Sequence, residues 1–75
     1  MLLDRITINP DIMGGRPCIR GMRFPVSRIL GMLAGGETEQ EILANHPDLE
    51  PDDIRAAITY AAARVDERVI VLKSA

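Results

Sequence analysis

The sequence predicts a mainly α domain: a three-helix unit of helix-turn-helix type (homeodomain- or winged-helix-like) carrying an N-terminal β arm. Three observations predict it. The stretch Gly14-Gly15-Arg16-Pro17-Cys18-Ile19-Arg20-Gly21-Met22-Arg23-Phe24-Pro25-Val26 puts three glycines, two prolines and three arginines into thirteen positions, a mixture no amphipathic helix tolerates. From Val26 the apolar residues switch to helical spacing. Two further helix starts are then marked, one by a capping box at Thr38 and one by Pro51. The chain divides into a β arm over 1–25, a three-helix unit over 26–65 and a strand or extended tail over 66–75. Its 75 residues leave no room for a second domain.

In order along the chain, Ile6-Thr7-Ile8 alternates β-branched apolar and polar residues and reads as a short strand. Asn9-Pro10-Asp11 and Gly14-Gly15 read as turns. Cys18-Ile19-Arg20 and Met22-Arg23-Phe24 are extended pieces either side of Gly21, which marks a bulge or bend. Gly14, Gly15, Pro17, Gly21 and Pro25 are therefore the structural residues of the arm. Val26, Ile29, Leu30 and Leu33 form one helical stripe that Gly35-Gly36 ends. Thr38 and Glu41 cap a short second helix, which carries Ile42 and Leu43 inward and ends before Pro47. A third helix starts near Pro51, with Asp52 and Asp53 against its positive dipole end. Its inward face is expected to be Ile54, Ala57, Ile58, Ala61 and Val65. Val69-Ile70-Val71-Leu72 suits a strand closing onto the arm, and equally a continuation of the third helix, because no Gly or Pro follows Pro51.

Composition excludes several classes. Cys18 and His46 are the only soft ligands, so neither a disulfide framework nor a metal site is expected. No apolar run approaches the roughly 20 residues of a membrane span, and Met1 to Ile8, which includes Asp4, lacks a signal-peptide core. A lone cysteine agrees with a reducing compartment, so a cytoplasmic protein is expected. So small a chain without staples gains stability by oligomerising, and a homodimer is the expected state.

No catalytic constellation emerges, and neither an enzyme nor a cofactor is expected. His46 sits beside Pro47 without a nucleophile at recognisable spacing. Cys18 reads as a small buried hydrophobe and Tyr60 as a core residue with its hydroxyl at the rim. Glu37, Glu39 and Glu41 suit capping and solvation. Gly14-Gly15 lacks the spacing of a phosphate loop.

The net charge of −2 argues against general nucleic-acid binding, but it is unevenly spread. Residues 1–30 hold five arginines against two acids, a net +3, whereas 31–75 hold four cations against nine acids, a net −5. Arginine suits bidentate contact with phosphate or carboxylate. The arm thus offers Arg16, Arg20 and Arg23, with Arg28 following, as candidate contacts to nucleic acid or a partner. An ordinary hairpin whose arginines keep an edge soluble is the competing reading. In a helix-turn-helix the third helix would read bases, yet Glu50, Asp52 and Asp53 at its start repel phosphates, leaving Arg55 and Thr59 as readers.

With these residues in place, the chain resembles the bacterial family catalogued as domain of unknown function 433, from Ile6 to Leu72. Residues 14–26 carry the likeness, matching Gly-Gly-Lys/Arg-Pro-x-Ile-x-Gly-Thr-Arg-Ile/Val-Pro-Val. Glu41-Ile42-Leu43, Pro47-x-Leu49, Asp53-Ile54 with Ala57, and Tyr60-Ala61 add to it. Met22 departs where threonine is usual, and Glu50 where serine or threonine often caps the third helix. The resemblance implies a helix-turn-helix-like fold and the antitoxin role of a type II toxin–antitoxin module. It would bind a PIN-like nuclease toxin and, as a dimer, operator DNA. A protein-interaction module of the same fold that never touches DNA is the alternative.

Overall fold

The computed structural model describes residues 2–66. A 3-10 turn (Leu2–Arg5) leads into β1 (Ile6–Thr7), and a second 3-10 turn (Met13–Gly15) into β2 (Cys18–Ile19). Three helices follow: α1 (Val26–Ala34), α2 (Glu39–Asn45) and α3 (Pro51–Asp66). Three helices and a two-stranded sheet agree with the expected mainly α class. Asp66, expected in the tail, is helical in α3, and the choice between strand and helix at Val69-Ile70-Val71-Leu72 lies outside the described residues.

The arm is more turn than sheet. β1 and β2 pair antiparallel, Ile6 opposite Ile19 and Thr7 opposite Cys18. Each is only two residues long, because the turns at Asn9–Asp11 and Met13–Gly15 interrupt the path between them. β2 then folds back on the residues leading into α1. The Ile19 amide donates to the Phe24 carbonyl (3.0 Å), and the Val26 amide to Pro17 (2.9 Å), bracketing a bridge between Cys18 and Pro25. At the tip the Met22 amide donates to Ile19 (2.8 Å) across Arg20 (φ 44°) and Gly21 (φ 72°). Two successive positive φ values mark a turn of the I′ kind, which glycine adopts without strain and arginine does not. Thr7 ties this tip to β1: its hydroxyl accepts from the Gly21 amide (2.8 Å) and donates to the Cys18 carbonyl (3.4 Å).

The helices begin and end on local chemistry. Gly36 (φ 96°) takes the left-handed position after α1, so that the Gly36 and Glu37 amides reach back to Leu33 and Met32 (both 3.0 Å). The capping box forms as expected: the Glu41 amide donates to Thr38 Oγ1 (3.1 Å) and the Thr38 amide to Glu41 Oε1 (2.9 Å). Those bonds hold the exposed Glu41 carboxyl below its usual range.

Ile19, Phe24, Val26, Ile29, Ile42, Leu49, Ile54 and Ala57 form one core, so the arm contributes side chains to the same interior as the helices. Cys18 is buried as expected, and Tyr60 packs against the core from its margin. The inner face of α3 differs from expectation. Asp53, Ile54, Ala56 and Ala57 are buried, while Ile58 and Val65 are 46% and 66% exposed. The Leu2–Arg5 turn packs against α3 on this side, with Arg5 bonded to Asp53.

Candidate functional site

The arm is fastened to the start of α3 through one carboxylate. Asp53 has no exposed surface, yet every buried side-chain polar atom among the described residues is partnered. Its Oδ1 accepts from Arg5 Nη1 (3.0 Å) and Arg20 Nε (3.0 Å). Its Oδ2 accepts from Arg20 Nη2 (2.9 Å) and the Glu50 amide (2.8 Å). The amide contact is one arm of a capping box, made from inside the helix, so α3 is capped although Glu50 is a poor N-cap. Arg20 Nη2 also donates to the Asp48 carbonyl (2.8 Å), and Arg5 Nη1 to Glu50 Oε1 (2.7 Å). Burial pushes the Asp53 carboxyl up, but the bonds from Arg20, the Glu50 amide and Arg5 outweigh it and hold the acid below its ordinary value. The Asp53 bonds raise Arg20, and those from Glu50 and Asp53 raise Arg5.

This corrects the view of Arg20 as an outward contact. Its guanidinium is turned onto Asp53, a residue 33 positions away that no local pattern connects to it. Arg5, not singled out in the sequence, is its counterpart. The available signal was Asp53 itself, an acid beside Ile54 and Ala57 on the apolar side of a helix.

The remaining candidates lie elsewhere. Arg23 is exposed and immediately precedes Phe24. The Arg28 guanidinium lies 4.7 Å from the centroid of the Phe24 ring, which meets His46 edge-on at 5.2 Å. Phe24 is nearly buried, so it holds Arg28 over a fixed surface. Arg16 sits at the opposite end of the hairpin, beside Pro17 on the border of a groove shared with α1 and α3. Arg55 and Thr59 are exposed on α3, and the Thr59 hydroxyl donates to the Arg55 carbonyl (2.8 Å). Among the described residues, Arg16, Arg23, Arg28 and Arg55 form no ion pair, in contrast to Arg5 and Arg20. Of the structural residues, Gly14 and Gly15 lie in the second 3-10 turn, Pro17 precedes the bridge that joins Cys18 to Pro25, and Gly21 forms the tip. No cluster of three His, Cys, Asp or Glu that would hold a metal occurs among the described residues, and no helix there is long and apolar enough to cross a membrane.

Residues 6–61, from β1 to Ala61 of α3, match a family model described as "Protein of unknown function (DUF433)". The chain is 40% identical over 58 residues to "Uncharacterized protein y4eO" of Sinorhizobium fredii (strain NBRC 101917 / NGR234). That match spans 77% of this chain and 26% of the relative, so the chain corresponds to about a quarter of y4eO. It also superposes on the crystal structure of a DUF433 member protein from Anabaena variabilis ATCC 29413. The TM-score is 0.79 at 34% identity, covering 89% of this chain and 66% of that one.

Proposed function

The chain belongs to the DUF433 family, and from that premise we propose that it is a binding module whose arginines engage an acidic surface of a partner protein. One observation supports the reading above others: Arg28 stacks on Phe24, Arg23 next to Phe24 in the chain is exposed, and neither arginine has a carboxylate partner among the described residues. An arginine stacked on a nearly buried ring has lost much of its rotamer freedom before it binds, so contact with a carboxylate costs less ordering. Arg5, Arg20 and Asp53 serve this surface indirectly, by locking the arm that carries it.

The partner class follows from the family resemblance, not from geometry. A PIN-like nuclease places carboxylates around its metal, and guanidinium groups meet carboxylates in strong charge-assisted pairs. The chain would then be the antitoxin of a type II module. The test is inhibition of a PIN-type ribonuclease encoded in the same operon, with both proteins purified. The wild-type chain is expected to block cleavage at equimolar ratio. R23A/R28A is expected to lose about tenfold or more in potency at an unchanged melting temperature. Equal potency of the two chains overturns the reading.

Operator DNA is the second reading, favoured by the lack of a carboxylate partner for Arg16, Arg23 and Arg28 among the described residues. Docking through the start of α3 is disfavoured, since exposed Glu50 and Asp52 stand there. Titration of upstream DNA at several salt concentrations distinguishes the two. A steep salt slope reduced by R23A/R28A supports DNA contact; no binding at micromolar protein excludes it.

A further inference from the structure

One side of α3 buries Asp53, Ile54, Ala56 and Ala57. At about 3.6 residues per turn, Arg55, Ile58, Thr59, Ala62, Val65 and Asp66 share the opposite side, and all six are exposed. The middle of this face is apolar. Ile58 and Val65 are large hydrophobic side chains left exposed, and Ala62 lies between them, one turn from each. Its ends are charged and opposite in sign, Arg55 near the start of α3 and Asp66 at its end. Neither forms an ion pair among the described residues. About three turns separate them, so both stand on the same flank of the apolar stripe.

This arrangement is complementary to itself. When two copies of a helix pack antiparallel about a two-fold axis, residues on the same flank meet, and the start of one helix lies against the end of the other. Ile58 with Ala62, and Arg55 with Val65, share one midpoint along α3, level with Tyr60. Setting Ile58 against Ala62 of a second copy therefore brings Arg55 against Val65 and Asp66 of that copy. A parallel pair would oppose Arg55 to Arg55 and Asp66 to Asp66, which repel.

We propose that two copies of this chain pair antiparallel through this face of α3, Ile58 of each packing on Ala62 of the other and Arg55 of each pairing with Asp66 of the other. The aliphatic stem of Arg55 then lies on Val65 of the second copy. The contact uses the same patch on both copies and closes at two. It gives a surface to the homodimer expected of so small a chain. It uses neither Arg23 nor Arg28, so its success or failure is independent of the proposed function.

The test is the mass of the 75-residue chain in solution, by light scattering after gel filtration over a range of concentrations. The wild type is expected at about twice its 8.2 kDa monomer, and I58D at the monomer mass. R55E and D66K are each expected to weaken the dimer about tenfold, because either change turns two attractive contacts into two repulsive ones. R55E/D66K restores opposite charges across the contact and is expected to dimerise nearly as well as the wild type. All three positions are exposed, and circular dichroism checks that each variant keeps its helices. A wild-type monomer at hundreds of micromolar shows that something other than a second copy covers this face, and overturns the proposal. A dimer that I58D leaves intact, or a double variant that pairs no better than the single ones, overturns it as well.

Discussion

Asp53 touches more of the molecule than any other polar side chain described above. Removing its carboxylate leaves two guanidinium groups and the Glu50 amide without their acceptor. D53A is expected to cost about 3 kcal/mol, the lower end for a broken buried pair, because the Arg5 and Arg20 side chains are 28% and 34% exposed and keep a route to water. R5A and R20A each remove hydrogen bonds to a charged acceptor and are expected to cost about 1.5 kcal/mol. Urea midpoints of the three variants check that order. The same carboxylate gives an acid limb. Its folded value lies below the unfolded 3.8, so its stabilisation is complete above the unfolded value and is lost as the pH falls through the folded one. Urea midpoints are therefore expected to drop below about pH 4, and D53A to lose most of that slope. None of this was legible locally: Arg20 looked like its neighbours Arg16 and Arg23, and only the folded chain separates them.

Elements behave as their own residues dictate. T38A removes the acceptor of the Glu41 amide and is expected to lower stability by about 1 kcal/mol. Two glycines of the α1 region give opposite signs. An added methyl meets nothing within 4 Å at either Gly31 or Gly36, so packing decides neither case. Gly36 holds φ 96°, and G36A is expected to cost about 1–2 kcal/mol. Gly31 lies inside the helix, and G31A is expected to stabilise by about 0.5–1 kcal/mol. Thermal melts of both chains check the contrast. These starts and stops were readable because a cap or a helix-ending glycine acts within a few residues of itself. The face that α3 buries was not, since Ile54, Ala57, Ile58, Ala61 and Val65 make an equally regular stripe. The docking of Leu2–Arg5 against α3, with Arg5 bonded to the distant Asp53, chose among the faces.

At the scale of the molecule, positive and negative halves meet where Arg5 and Arg20 cross to Glu50 and Asp53. Part of the charge asymmetry in the sequence is thus neutralised inside the fold, whereas Arg16, Arg23, Arg28 and Arg55 form no ion pair among the described residues. Salt is expected to act on the two sets differently. Raising ionic strength from 50 to 200 mM is expected to weaken partner binding through exposed Arg23 and Arg28. The urea midpoint is expected to move little, because Asp53 is shielded from ions. Parallel binding and unfolding titrations at the two salt concentrations check this.

By itself the sequence determined where the helices start, the Thr38–Glu41 cap, the turn-rich arm and the apolar stripe of α1, all written in spacings of four residues or fewer. It also contained the family motif. Tertiary structure alone decided which arginines are bonded inward, which face of α3 is covered and where a groove opens. The physical reason is range. Backbone hydrogen bonds and caps act between near neighbours, whereas a buried carboxylate chooses its cations by what folding brings within about 3 Å, however far apart the chain has placed them.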